Sequence, residues 1–235
     1  MKVEVFADAD WVAREAAAIV AAEARAAIEA RGRFVMAVSG GHTPWLMLRA
    51  LTNEDVPWNS VHVVQVDERV APDGDPDRNL THLRESLLGQ GLSSERIHAM
   101  PVEAPDLGVA AAQYAVVLQQ IAGSPPVLDL VHLGLGPDGH TASLVPGDPV
   151  LNVTDVDVAT TGVYQGRRRM TLTYPILNRS RRVLWLVTGN DKAEMVSRLC
   201  AGDTSIPAGR VDSGRALMVS DRAAASKINV DLKKE

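Results

Sequence analysis

Two ionisable residues, Asp138 and His140, stand inside a run broken by Gly134, Gly136, Pro137 and Gly139. An imidazole has an unperturbed pKa of about 6.5, so near neutrality it can both take and return a proton. Glycines around it let a substrate approach the backbone closely. The turn follows a short apolar run, Asp129 to Leu135, that reads as a buried strand. A plain strand-to-helix connection with solvent-facing Asp and His would carry the same local pattern. Three other apolar runs, however, end in comparable chemistry. Phe34 to Ser39 runs into Gly40-Gly41-His42-Thr43-Pro44, Val61 to Val66 into Asp67-Glu68-Arg69, and Arg182 to Val187 into Thr188-Gly189-Asn190-Asp191-Lys192.

Each of these loops has its own capability. Backbone N–H groups at the start of a helix make an anion site, so Ser39, Gly40, Gly41 and Thr43 are candidate phosphate ligands. The stretch lacks GK[ST] and GxGxxG, so it is neither a Walker nor a dinucleotide fingerprint. Thr43 is placed to cap the following helix and Pro44 to fill its first position. Lys192 opens a helix, where a cation is unfavourable unless an anion binds beside it. Arg167, Arg168 and Arg169 form the densest basic run; on a strand, Arg169 shares a face with Thr171 and Thr173. A solvated face is the ordinary fate of such a run, and a self-satisfied ion pair the ordinary fate of Asp67-Glu68-Arg69. His62, His82, His98 and His132 fall within strands or helices and read as structural, while His42 stays open. No His/Cys/Asp cluster has metal-ligand spacing, so no metal site is assigned. Cys200 is the one cysteine, which excludes an intramolecular disulfide. It lies in an apolar helical pattern and reads as a buried small hydrophobe.

These loops need elements to hold them. The spacing predicts strands over 2–7, 34–39, 61–66, 96–100, 129–135, 153–159, 169–173, 182–187 and 216–219. It predicts helices over 9–30, 44–51, 80–88 (with Asn79 as cap), 107–121, from Lys192 to Cys200, and from Asp221 onward. The segment 146–166 is the least legible. Strands alternating with helices imply a mostly parallel sheet covered on both faces. In such a sheet ligands bind beyond the carboxyl ends of the strands, so all four loops gather at one edge.

The totals agree with this. The 235 residues suit one α/β domain over 1–235, and 46% are hydrophobic, enough for a core. Aromatics are only 4%, so aliphatic residues and alanine must fill it. A net charge of −5 argues against a general nucleic-acid binder, though not against a local basic pocket for an anion. No stretch approaches the roughly 18 apolar residues of a membrane span, and the N-terminus lacks a signal-peptide pattern. A cytoplasmic location is the default expectation, with a monomer or weak dimer as the expected state.

Those loops, in this order and spacing, resemble the 6-phosphogluconolactonase family. The segments that carry the likeness are AVSGGHTPWLMLRAL (37–51), VQVDERVAP with PDRNLTHLRESLL (64–88), LGLGPDGHTASLVPG (133–147), RRMTLTYPILN (168–178) and LVTGNDKAEMV (186–196). The related glucosamine-6-phosphate deaminases share the DGH but continue closer to IAFNEP. TASLVPG here favours the lactonase. Arg78 stands where relatives often carry Ser. The resemblance implies a modified Rossmann-like fold and hydrolysis of 6-phosphogluconolactone, a phosphorylated sugar lactone, to 6-phosphogluconate. It implies no cofactor. His140 is then the general base, with Asp138 or Asp67 assisting it. The oxyanion donor is the glycine-rich backbone or Arg69, and Arg169 and Lys192 are the phosphate cations. Two other readings compete. One is an amino-sugar-phosphate isomerase or deaminase. The other is a sugar-phosphate-sensing domain of a transcription regulator, disfavoured because one helix precedes Phe34, too little for a DNA-binding module.

Overall fold

The structure is a computed structural model that describes residues 1–229. In chain order its elements are β1 (Lys2–Phe6), α1 (Ala9–Arg31), β2 (Phe34–Val38), α2 (His42–Leu51), β3 (Val61–Gln65), β4 (Asp67–Arg69), α3 (Asn79–Leu87), β5 (Ile97–His98), α4 (Leu107–Ala122), β6 (Leu130–Leu133), β7 (Val158–Thr160), β8 (Arg169–Leu172), α5 (Tyr174–Arg179), β9 (Val183–Val187), α6 (Ala193–Cys200) and β10 (Ala216–Asp221). Seven strands form one sheet in the order β1-β10-β9-β6-β2-β3-β5, and each neighbouring pair is parallel.

Local chemistry explains the elements. Asp8 accepts from the Trp11 N–H at 2.9 Å and starts α1; Gly32, at φ 73°, ends it in the left-handed conformation that glycine adopts without a Cβ clash. The buried stripe of α1 is alanine-rich (Ala13, Ala16, Ala17, Ala21, Ala24), so the helix can sit close to its neighbours. β2 is buried along its whole length. Phe34, Met36 and Val38 pack with α1, α2 and α3 on one face, while Val35 and Ala37 pack with α4, α5 and α6 on the other. That strict alternation is the pleat of a strand buried on both sides.

The α/β class and the parallel sheet are as expected from the sequence. A second sheet was not expected. Asp67–Arg69, read as a loop, is the strand β4, paired antiparallel with β8, which also pairs antiparallel with β7. Its partner lies about a hundred residues downstream, and its side chains are charged, so no local pattern marks it as a strand. The last predicted helix is also corrected. β10 extends to Asp221, and Arg222 to Asn229 form turns and irregular backbone rather than a helix. Cys200 is exposed, not buried. Ala193, Val196 and Leu199 supply the inner face of α6, and Cys200 falls one residue past it. No helix among the described residues is long and apolar enough to cross a membrane.

β2 and β6 lie side by side at the centre of the sheet. The chain leaves β2 toward the α1–α3 face and leaves β6 toward the opposite face, where Leu144 and Val150 are buried. Two connections diverging from adjacent parallel strands leave a crevice between them.

Candidate active site

A cavity of about 550 Å³ opens in that crevice. Its walls come from all four loops: residues 39–44 after β2, Asp67 and Arg69 on β4, residues 134–137 and His140 after β6, and Thr188 and Lys192 after β9. The gathering expected from parallel strands is therefore observed. Asn79, Ala142, Gln165, Arg169, Leu186 and Val187 complete the lining. Ala142 (φ 52°) and Gln165 (φ 51°) are the two non-glycine residues given a positive φ among those described, and both face this cavity. Backbone held in that region costs energy and collects at functional sites.

His140 sits at the rim with its side chain 20% exposed. Its Nδ1 lies 2.5 Å from Asp138 Oδ1, and its own backbone N–H donates to the same oxygen at 3.1 Å. Asp138 stands behind the imidazole and does not line the cavity. Partial burial pushes the Asp138 carboxyl up. The His140 backbone N–H, charge and ring hydrogen bond outweigh that, so the group stays net below the usual carboxylate range. Gly136 makes the arrangement possible: a side chain there would overlap the imidazole and the Asp138 carboxylate.

Asp67 is differently occupied. It is buried, accepts from Ser143 Oγ at 2.6 Å, and lies 3.9 Å from the Arg169 guanidinium. The carboxylate hydrogen-bonded to His140 is thus Asp138, not Asp67. Arg69 donates to Asn79 Oδ1, and the Asn79 amide donates to the Asp67 carbonyl at 2.9 Å. Asn79 occupies the space that the missing side chain of Gly40 leaves. It is the first residue of α3 rather than its cap; the buried Glu68 carboxylate caps that helix, accepting from Asn79 N–H and Leu80 N–H. Arg78, 2% exposed, holds Glu68 from the far side at 3.1 Å.

In the glycine turn, Ser39 is already spent. Its N–H donates to His132 Nδ1 and its hydroxyl to the His132 carbonyl. Ser39 lines the cavity but shapes the turn instead of offering a donor. Gly41 is the N-cap of α2, with no side-chain cap, so the first N–H groups of that helix have no intrahelical acceptor. Thr43 is not the cap: its hydroxyl bonds Thr188 Oγ1 at 2.7 Å and ties this turn to the loop after β9. His42, exposed, is the first residue of α2 and lines the cavity.

Three cations face this space. Lys192 lies at the entry to α6, paired with the exposed Asp191 at 2.9 Å. Arg169 is buried on β8 and reaches Gln165 Oε1 at 3.2 Å. Arg69 is the third. Of the basic run only Arg169 enters this cavity; Arg167 turns to Asp75 and Asp77. Of the histidines read as structural, His82 has its side chain 38% exposed, the ring bonded to Glu85 and to the Pro76 carbonyl. His132 is fully buried, and His62 and His98 bond each other at 2.9 Å on β3 and β5. Sequence reasoning missed Asn79, Ser143, Gln165 and Thr188 as site residues. No periodicity marks them: Ser143 and Thr188 matter through partners far along the chain, and Asn79 and Gln165 through side-chain bonds to Arg69 and Arg169 across turns.

With this geometry in hand, the likeness to known proteins is specific. Residues 7–219 match the family described as Glucosamine-6-phosphate isomerases/6-phosphogluconolactonase. A 6-phosphogluconolactonase of Nostoc sp. is 33% identical, the alignment covering 97% of this chain and 98% of that protein. One of Synechocystis sp. is 40% identical over 74% of this chain and 75% of its own. The crystal structure of 6-phosphogluconolactonase from Thermotoga maritima superposes with a TM-score of 0.80 at 26% identity, over 94% of this chain and 98% of that one. The chain belongs to the glucosamine-6-phosphate isomerase/6-phosphogluconolactonase family.

Proposed function

We propose that the chain acts as a 6-phosphogluconolactonase, hydrolysing 6-phospho-D-glucono-1,5-lactone to 6-phospho-D-gluconate in the oxidative pentose phosphate pathway, with His140 as the general base. The observation that carries this reading is the His140–Asp138 pair at the rim of a cavity that also holds Arg69, Arg169 and Lys192. Lactonases of this name align with the chain over nearly its whole length.

The phosphate binds on the unpaired N–H groups at the start of α2, with Arg169 and Lys192 as its cations. That anchors one end of the sugar and brings C1 toward His140. Nδ1–H is donated to Asp138, so the Nε2 lone pair faces water. A water oxygen attacks C1 while Nε2 takes its proton. The carbonyl becomes a tetrahedral oxyanion, held by the glycine-rich backbone or Arg69. On collapse the C1–O5 bond breaks and the imidazolium returns its proton to O5. Charge is balanced, and the reaction consumes only water. A lactone is an activated ester, so the reading calls for no cofactor.

The test is a coupled assay that follows 6-phosphogluconate formation, with spontaneous hydrolysis subtracted. The enzyme should accelerate release well beyond the blank. The family name also covers isomerases, so glucosamine 6-phosphate is the comparison substrate; ammonia release from it, without lactone hydrolysis, would reverse the assignment.

A further inference from the structure

Tyr164 lies 26 residues from Asp138, yet its hydroxyl donates to Asp138 Oδ2 at 3.2 Å. This is the carboxylate oxygen that His140 does not use. The Tyr164 ring meets the His140 imidazole edge-on, centroids 5.5 Å apart at 66°. The Arg169 guanidinium stands over the same Tyr164 ring, 4.9 Å from its centroid. One side chain therefore touches the carboxylate behind the base, the base itself and a cavity cation.

The backbone is built to present it. Tyr164 and Arg167 exchange N–H···O bonds of 3.0 and 3.3 Å around a two-residue turn, Gln165-Gly166, in which both residues have positive φ. That is the twist that suits a tight hairpin. Farther down, Thr161 N–H bonds the Arg169 carbonyl, so the tip extends the β7–β8 hairpin. β8 in turn pairs with β4, which carries Asp67 and Arg69. The small antiparallel sheet thus carries Tyr164 onto the turn that follows β6.

We propose that Tyr164 is a positioning residue for the hydrolysis: it locks the Asp138 carboxylate and the His140 ring in one orientation and holds Arg169 in register with them. This rests on the reading of His140 as the base. The Asp138 side chain is 37% exposed, and both of its bonds to His140 fall on Oδ1, so Tyr164 is the group that fixes Oδ2. A donor on Oδ2 leaves Oδ1 for Nδ1–H, and the aromatic edge bars a flip of the imidazole. The donor also draws charge from the carboxylate, so the imidazolium is less stabilised than by Asp138 alone. Burial, then Asp138, raises the Tyr164 pKa, which keeps the phenol protonated as a donor. The other charged groups around this corner are Arg169 and Asp67 of the small sheet, Arg69 on β4, and Lys192 at the entry to α6.

Two variants separate the contacts. Tyr164→Phe keeps the ring and removes only the hydroxyl. Its kcat should fall about fivefold with KM within about twofold, the worth of one ordinary hydrogen bond. The His140 ring, followed by NMR titration of the substrate-free protein, should titrate at higher pH than in the parent, as should the acid limb of kcat/KM. Tyr164→Leu also removes the ring beneath Arg169, and should in addition raise KM about threefold or more. Parental kcat, KM and His140 titration in both variants would overturn the proposal, as would a lowered Tm with those three unchanged. The titration is independent of turnover. A His140→Ala variant that keeps its activity would remove His140 as the base, while the shift in Tyr164→Phe would still report the contact with Asp138.

Discussion

Gly136 faces His140 so closely that a methyl group on its α-carbon would overlap Nδ1, and the Gly136 N–H donates to the His140 carbonyl at 2.8 Å. The turn closes on itself, and the imidazole fills the place of the absent side chain. Gly136→Ala should displace the ring from Asp138 and lower kcat by about 10²-fold, in the range of losing a general base. Steady-state kinetics with a thermal melt check this: parental kcat in a folded variant would mean that the imidazole position is not decisive.

His140→Ala should lower kcat by about 10²–10⁴ with KM nearly unchanged, because the phosphate contacts remain. His140→Asn keeps a hydrogen-bonding group but no base, and should be as impaired. An active, folded His140→Asn would make His140 a loop-holding residue. The kcat/KM profile should also fall on the acid side as the imidazole protonates.

Lys192 is the cleanest cation to remove, since its partner Asp191 is exposed and Arg169 is embedded among Asp67, Ser143 and Gln165. A lost charge-assisted contact costs about 1.5–3 kcal/mol, so Lys192→Ala should raise KM for the phosphorylated lactone roughly tenfold or more. Unphosphorylated gluconolactone should be far less affected. Equal losses on both substrates would take Lys192 away from the phosphate.

His132 supports the glycine turn from below, and burial depresses its ring to about 3. His62 is depressed to about 4, by burial and then by Arg96. In both, the folded state resists protonation while the unfolded chain takes up a proton from about pH 6.5 downward. The sign follows: stability is full above that pH and falls as the pH drops toward the folded-state values. His132 alone should cost about 2–3 kcal/mol by pH 4.5. Urea unfolding at pH 7, 5.5 and 4.5 should show a monotonic loss; a flat profile would contradict a neutral, buried His132.

The sequence by itself determined the central sheet and the meeting of its loops. Runs such as Phe34–Val38 and Val183–Val187 are apolar without interruption because both faces of a parallel sheet are covered, and that pattern is local. Gly32 as the end of α1, and the arrival of Gly40, Asp67, His140 and Lys192 at one edge, follow from turn chemistry and strand direction. Tertiary structure alone decided which atoms meet. Asp138, the nearest carboxylate in sequence, and Asp67 were both candidates to assist His140; in the fold Asp138 bonds the ring, while Ser143 and Arg169 engage Asp67. Ser39 resembled a phosphate donor until its N–H and hydroxyl were found bonded to His132 on the neighbouring strand. Thr43 read as a cap, yet its hydroxyl reaches Thr188. β4 became a strand only through a partner a hundred residues away, and Tyr164 reached Asp138 from the stretch with least pattern. The physical reason is common to all of them. Periodicity and turn residues report what a segment does with its own backbone. Hydrogen bonds between side chains far apart in the chain depend on how the packed elements bring them together.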